Sequence, residues 1–203
     1  MSTVDPAELL RLAKTGDAAA LGELLSRYRQ YLSLLAGLQV NRRLRGKADA
    51  SDLVQEAFLE AHRHFEQFRG RTERELAAWL RSILAALISN HVRRYLGTGQ
   101  RDANLERGLA AELDHTSRVL DRGLLAGGSS PSQQVARRES GVLLADALAQ
   151  LPPDYRQTVV LRNFEGLSFA EIAAQMDRSV DSVQKLWVRA LARLREALVT
   201  LST

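Results

Sequence analysis

The stretch Leu167–Leu198 reads LSFAEIAAQMDRSVDSVQKLWVRALARLREAL. It holds two serine N-cap signals, and Ser168 is followed three residues later by Glu171, the spacing of a capping box. The segment Met176–Arg178 has room only for a tight turn, and its aspartate tolerates the left-handed conformation that such a turn needs. Ser179 then starts a second helix. The pattern predicts a helix-turn-helix, a motif whose second helix lies in the major groove of DNA.

The second helix has two distinct faces. An apolar stripe at helical spacing is expected to pack on the first helix, and it consists of Val183, Trp187, Ala190 and Leu194. The opposite face is expected to point outward and carries Asp181, Ser182, Gln184, Lys185, Val188, Arg189 and Arg193. Ser, Gln, Lys and Arg bond base edges and phosphates, although a solvated helix of an all-α domain would show the same amphipathic pattern.

The distribution of charge favours the DNA-binding interpretation. Basic and acidic residues are equal in number from Gly141 to the end, but most of the basic ones follow the turn. Phosphate contacts require such a local basic face rather than a high net charge. The net charge of +4 originates in residues 1–98, so a second basic surface is expected near the other end of the chain.

Composition removes several classes of function. The chain of 203 residues has no cysteine, which excludes disulfides, zinc-thiolate sites and cysteine nucleophiles. No apolar run approaches membrane-spanning length, and the N-terminus does not begin like a signal peptide. We therefore expect a soluble cytoplasmic protein without membrane insertion.

Periodicity predicts an all-α fold of two small helical domains joined by a flexible linker. Helices are expected from Asp17 to Leu35, from a cap at Asp49 to about Phe65, and over Glu75–Tyr95. Strong periodicity fades after that, and Ala126–Ser132 is rich in glycine, serine and proline. The predicted division is a domain at 1–97, a linker at 98–138 and a domain at 139–203.

The first domain carries an acidic stripe and a group of arginines. The stripe lies on the helix that begins after Asp49 and comprises Asp49, Asp52, Glu56 and Glu60. From the residues alone it is either a solvated face that complements the helix dipole or a binding surface. A metal site is disfavoured because ligands for a divalent ion should converge from more than one element. Trp79 lies among arginines, which suits either stacking on single-stranded bases or burial in the core.

Four motifs resemble one family. Asp49–Phe58 resembles region 2.2 of bacterial sigma-70 factors, and Phe68–Gly70 with Trp79–Ile83 resembles the segment that follows it. Leu151–Arg156 and Gly166–Ala173 resemble region 4. Because only these two regions and a short linker are present, the chain is similar to the extracytoplasmic-function (ECF) group of sigma factors, over about residues 15–97 and 139–198.

The resemblance implies partners and roles. Core RNA polymerase would be bound through its β′ clamp helices and β flap, with the clamp contacts falling on Asp49, Asp52, Leu53, Gln55 and Glu56. Contacts to the −10 promoter element would fall on Phe68, Arg69, Arg71, Thr72, Trp79, Arg81, Arg93 and Arg94. Contacts to the −35 element would fall on Arg178, Ser179, Asp181, Ser182, Gln184, Lys185, Arg189 and Arg193. Promoter DNA and an anti-sigma protein are the other implied partners, and no cofactor, metal or catalytic residue is implied. The chain departs from the family pattern at Ala86 and Asn90, where the family often has Asn and Asp.

Two other classes of protein share some of these features. A helix-turn-helix repressor or activator acting apart from the polymerase would leave the acidic stripe and the Trp-Arg loop unexplained. An enzyme is disfavoured because the four histidines, His62, His64, His91 and His115, show no metal-binding spacing and no glycine-rich phosphate loop is present.

Overall fold

The computed structural model describes residues 5–44, 47–96, 103–122 and 140–201, and every regular element in these ranges is helical. The all-α prediction is confirmed. Contacts divide the chain into two units, Met1–His115 and Thr116–Thr203. In the described part of the chain, no helix is long and apolar enough to cross a membrane.

The first unit contains α1 (Pro6–Lys14), α2 (Ala18–Arg27), α3 (Arg29–Gln39), α4 (Ala50–His64), α5 (Glu73–Leu96) and the first part of α6 (Ala103–Arg122). A π-helical turn at Val40–Leu44 continues α3, and a 3₁₀ turn at Phe65–Gln67 follows α4. Aspartates cap three of these helices. Asp17 accepts hydrogen bonds from the backbone N–H groups of Ala19 and Ala20, and Asp49 accepts one from Ser51 as predicted.

The prediction of one helix from Asp17 to Leu35 was wrong. The chain is broken at Tyr28, which has φ −87° and ψ 1° and ends α2 before α3 begins. The Tyr28 side chain is only 3% exposed, so the apolar pattern runs through the break without interruption. Periodicity alone cannot distinguish two helices joined at a buried residue from one continuous helix.

The core of the first unit lies between α3, α4 and α5. Its completely buried side chains include Leu32, Leu35, Ala57, Ala61, Leu76, Leu80, Leu84 and Ile88. This core fixes the two outer faces considered below, the exposed side of α4 and the loop that leads into α5.

Helix α6 lies within the predicted linker at 98–138. Leu109 and Leu113 on this helix are completely buried, and Glu112 and Asp114 form ion pairs with Arg43 and Arg81 of the same unit. The boundary between the units therefore falls inside α6. The glycine-rich stretch Ala126–Ser132, on which the prediction of a flexible linker depended, lies outside the described residues.

The second unit contains the end of α6, then α7 (Ser140–Ala149), α8 (Pro153–Val159), α9 (Phe169–Gln175) and α10 (Val180–Leu201). Pro153 opens α8, where its missing N–H leaves no helical bond unmade, and a π-helical turn at Val160–Phe164 continues the helix. A small core joins α9 to α10 through Leu161, Ile172, Ala173 and Val183. This core positions α10 against the rest of the unit.

Candidate nucleic-acid and protein interfaces

The α9–turn–α10 unit has the local geometry that its sequence predicts. The Ser168 hydroxyl accepts the Glu171 N–H at 3.3 Å, while the Glu171 carboxylate accepts the Ser168 N–H at 2.7 Å. The Ser168 hydroxyl also donates to that carboxylate. The bonds that the carboxylate accepts from the Ser168 hydroxyl and from the Ser168 N–H hold the pKa of Glu171 below its ordinary value. Asp177 has φ 52°, the left-handed conformation expected of the turn. The capping box and the turn are thus both confirmed.

The inner face of α10 is buried and its outer face is open. Val183, Ala190 and Leu194 are completely buried, and the Trp187 indole N–H donates to Asn163 at 3.1 Å. The Trp187 ring also meets Phe169 edge-on, with 5.7 Å between centroids. The exposed residues of the outer face are Asp181, Gln184, Lys185, Val188, Arg189 and Arg193, and Ser182 is partly exposed.

Several residues of the outer face have partners within the unit. Lys185 Nζ lies 2.7 Å from Asp181 Oδ2, and both side chains are largely exposed. Such an exposed pair contributes under about 1 kcal/mol, so it can exchange for a phosphate or a base. The guanidinium of Arg193 lies 5.6 Å from the Tyr155 ring centroid. Sequence reasoning missed this contact because the two residues are far apart in the chain.

Arg178 and Ser179 have structural partners at the start of α10. Arg178 is paired with Asp154 of α8. The Ser179 hydroxyl accepts the Ser182 N–H at 3.2 Å, which confirms that it is an N-cap. Both residues therefore fix the entry of α10, in addition to any contact that they make with DNA.

Helix α4 presents the exposed residues Asp52, Gln55 and Glu56 along one face. Asp49 stands at its N-terminus, where the hydrogen bond from the Ser51 backbone N–H lowers the pKa of the Asp49 carboxyl. Glu56 is not isolated on this face, since its Oε2 lies 3.2 Å from Nε2 of His91 on α5. This contact could not be predicted from local patterns, because the two residues lie 35 positions apart in the sequence.

The loop between α4 and α5 is supported by an aromatic cluster. The Phe68 ring lies 5.1 Å from the Trp79 ring, and the Phe65 ring lies 6.2 Å from Trp79. A Cβ at position 70 would collide with the Phe68 ring, so glycine is required there. Arg69 and Arg71 on either side of Gly70 are exposed. The loop thus exposes two arginines to solvent, while the aromatic cluster beneath it fixes its backbone.

A second capping box closes this loop. The Thr72 hydroxyl accepts the Glu75 N–H at 3.3 Å, and Glu75 Oε2 accepts the Thr72 N–H at 3.0 Å. Glu75 also accepts the Arg71 N–H at 2.8 Å, and this bond, followed by that of the Thr72 hydroxyl, lowers the pKa of Glu75. The Thr-x-x-Glu signal is visible in the sequence, and its omission set the predicted start of α5 two residues late.

Comparison with known proteins agrees with these features. Residues 27–96 match the family described as sigma-70 region 2, and residues 142–194 match sigma-70 region 4. The chain is 30% identical over 195 residues to the RNA polymerase sigma-H factor of Pseudomonas aeruginosa, covering 94% of this chain and 92% of the relative. It is 31% identical over 183 residues to the ECF RNA polymerase sigma-E factor of Haemophilus influenzae, covering 90% and 89%.

This chain belongs to the sigma-70 family, in the ECF group. A chain of a solved RsbN–BldN complex is 26% identical and covers 92% of this chain, with a TM-score of 0.31 that is too low to support an argument from shape. Helix α9, the turn and α10 as far as Leu194 lie within the region 4 match, whereas α4 and the arginine loop lie within the region 2 match.

Three of the region 2 candidates are buried or bonded within the first unit. Leu53 is 1% exposed and Phe68 is 7% exposed, so both are core side chains. Arg81 was expected to contact DNA, yet its side chain is 13% exposed, its Nε donates to Asp114 at 2.7 Å, and its Nη1 donates to the Tyr31 hydroxyl at 2.8 Å. Arg81 therefore links α5 to α3 and α6.

The remaining −10 candidates have different environments. Trp79 is half-buried in the aromatic cluster, which is the core position that its spacing also allowed. Near the other end of α5, Arg94 is exposed and Arg93 is bonded to Asn90. Among the residues predicted to contact the −10 element, the exposed cations are thus Arg69, Arg71 and Arg94.

Proposed function

We propose that the two matched regions divide the work of a sigma factor among three surfaces. The outer face of α10 reads the −35 element, the Arg69–Thr72 loop together with Arg93 and Arg94 engages the −10 element during melting, and the exposed side of α4 binds core polymerase. The observation that carries the proposal is the exposed outer face of α10, whose position is fixed by the N-caps Ser168 and Ser179. The matches to region 2 and region 4 support it. The chemistry of RNA synthesis belongs to the polymerase, and the site of action is the cytoplasm.

The −35 assignment follows from position along α10. The N-terminal part of a recognition helix reaches base edges, whereas residues farther along meet the backbone. Ser182, Gln184 and Lys185, with Asp181, are therefore assigned to bases, and Arg189 and Arg193 to phosphates. Asp181 directs the Lys185 ammonium in the free protein, and the low energy of that exposed pair allows it to open on binding.

The −10 assignment depends on a loop that is fixed at both ends. The Phe68–Trp79 contact supports one end, and the Thr72–Glu75 capping box supports the other. Arg69 and Arg71 are thereby presented to phosphates at little additional entropic cost. Thr72 acts in this proposal mainly as the cap of α5.

The polymerase assignment concerns Asp52, Gln55 and Glu56, with Asp49 at the start of the helix. Two exposed carboxylates on one face suit a basic partner surface, such as the clamp helices that the family resemblance implies. Leu53 supports this face from beneath, since its side chain is buried.

The −35 assignment is tested by binding-site selection with the full chain and core polymerase. Lys185→Ala should weaken binding to the preferred −35 sequence by about 1–3 kcal/mol and relax preference at one or two positions. Arg193→Ala should weaken all sequences alike and reduce the salt slope by about one. Arg195→Ala, an exposed cation of α10 outside the assigned face, is the matched control. An unchanged sequence preference for Lys185→Ala would refute its contact with bases.

The polymerase and −10 assignments need separate assays. Asp52→Arg should weaken binding to core polymerase by several kcal/mol, because like charges then face each other, whereas Glu66→Arg outside the face should not.

The double variant Arg69→Ala/Arg71→Ala should lose run-off transcription on a duplex promoter and recover it on a pre-melted bubble. Equal loss on both templates would indicate a structural defect, and Arg63→Ala serves as the control for charge loss.

A stand-alone helix-turn-helix regulator is the competing function. It requires region 4 and promoter DNA but no polymerase. Run-off transcription that depends on added core enzyme and on this chain would exclude it.

A further inference from the structure

We propose that His91 is a positioning residue for Glu56 in the polymerase-binding face of α4. The proposal rests on the function assigned to that face. It concerns a contact between two helices, the 3.2 Å approach of His91 Nε2 to Glu56 Oε2.

The chemistry of the two groups fixes the direction of this hydrogen bond. An ionised carboxylate only accepts, so the proton of a neutral imidazole lies on Nε2 and is donated to Glu56. His91 Nδ1 is buried and has no hydrogen-bond partner among the described residues. An N–H at Nδ1 would be left there without an acceptor, which disfavours the other tautomer and favours the one that serves Glu56.

The imidazole is held more firmly than the carboxylate. The side chain of His91 is 21% exposed, whereas that of Glu56 is 48% exposed. Tyr95, one turn farther along α5, lies beside the imidazole with 6.4 Å between ring centroids. A restrained donor on α5 therefore selects one arrangement of an otherwise mobile glutamate on α4.

The contact leaves Glu56 able to bind a partner. A carboxylate has about four acceptor positions, and His91 occupies one of them on Oε2. Glu60, which is also part of the stripe, is engaged by Arg63 and His64 of its own helix. Glu56 is thus the member of the stripe that is aligned by a different helix, and its remaining lone pairs are available to a cation of the polymerase.

Alignment before binding should raise affinity, because immobilising a flexible side chain on association costs about 0.5–1.5 kcal/mol. Loss of the imidazole should therefore weaken binding of core polymerase about two- to tenfold. The loss should depend entirely on Glu56, which distinguishes positioning from a general packing defect.

The test is a double-mutant cycle measured as the affinity of the full-length chain for core polymerase. His91→Leu should weaken binding in the parent and have no further effect in a Glu56→Ala background. His91→Gln, which keeps a donor, should retain most of the affinity. Urea unfolding should show little loss of stability for His91→Leu, because the change also removes the buried, unpartnered Nδ1.

Each result decides the matter. An equal loss for His91→Leu with and without Glu56 would overturn the proposal and indicate a packing role. No loss for His91→Leu while Glu56→Ala weakens binding would overturn it and leave the polymerase assignment standing. If Glu56→Ala, Asp52→Arg and His91→Leu all leave the affinity for core polymerase unchanged, both the role of His91 and the assignment of the α4 face to polymerase binding would be overturned.

Discussion

Substitution of Arg81 tests how the helices of the first unit, which contains region 2, are held together. Its guanidinium bonds the Tyr31 hydroxyl on α3 and the Asp114 carboxylate on α6, and its side chain is 13% exposed. Burial alone would lower the pKa of Arg81, but Tyr31 and Asp114 more than compensate and raise it. The cation therefore stays charged at any practical pH, and its effect on stability is not a titration effect.

The magnitude follows from the exposure of each partner. A hydrogen bond to a charged group contributes about 1.5–3 kcal/mol when it is shielded from water, which applies to the bond to the buried Tyr31. Asp114 is 55% exposed, so water replaces much of its bond and its share is about 0.5–1 kcal/mol. Methionine retains much of the apolar stem. Arg81→Met removes both bonds and should thus lower the free energy of unfolding by about 2–4 kcal/mol, and Asp114→Asn should lower it by about 0.5–1 kcal/mol.

Fluorescence can report the region 2 unit alone. The chain has two tryptophans, one in each unit, so a Trp187→Phe background leaves Trp79 as the probe. Urea unfolding of the full chain in that background, with the exposed Arg63→Met as control, measures the loss. A change under about 0.5 kcal/mol for Arg81→Met, the range of ordinary surface substitutions, would refute the structural role of Arg81. A cost for Asp114→Asn as large as that for Arg81→Met would refute the division between the two partners.

Three further predictions concern caps and turns. Ser168→Ala should lower the free energy of unfolding of the second unit, which contains region 4, by about 1 kcal/mol. Trp187 fluorescence in a Trp79→Phe background measures this change, and an unchanged stability would show that the capping box contributes nothing. Asp177→Gly should raise the stability of the same unit by up to about 1 kcal/mol because φ is 52°, whereas Asp177→Val should lower it, and equal stabilities would contradict the strain argument. The pKa of Glu75 is depressed in the folded protein from its ordinary 4.5, so its contribution to stability is present above that value and lost as the pH falls through the folded pKa. The stability difference between the parent and Glu75→Gln should shrink over this acid range, and a difference that stays constant with pH would contradict the assignment.

Local signals in the sequence determined most of region 4. The capping box, the left-handed aspartate and the second cap each involve residues within four positions of one another, and all three appear as predicted. The apolar stripe of α10 also follows from spacing alone, because one face of an amphipathic helix must be buried. Such features are encoded over a turn or two of chain, so a sequence can be read for them directly.

Tertiary structure decided which of the region 2 candidates are available to a partner. An arginine near an aromatic residue has the same local pattern whether it is exposed, like Arg71, or held between helices, like Arg81. Leu53 and Phe68 lie within motifs that resemble binding segments, but their side chains are buried in the packed unit. The Glu56–His91 bond and the Arg81–Asp114 pair join residues more than thirty positions apart. Helical periodicity fixes which face a residue occupies on its own helix, but the residue that meets it from another helix is set only when the helices pack.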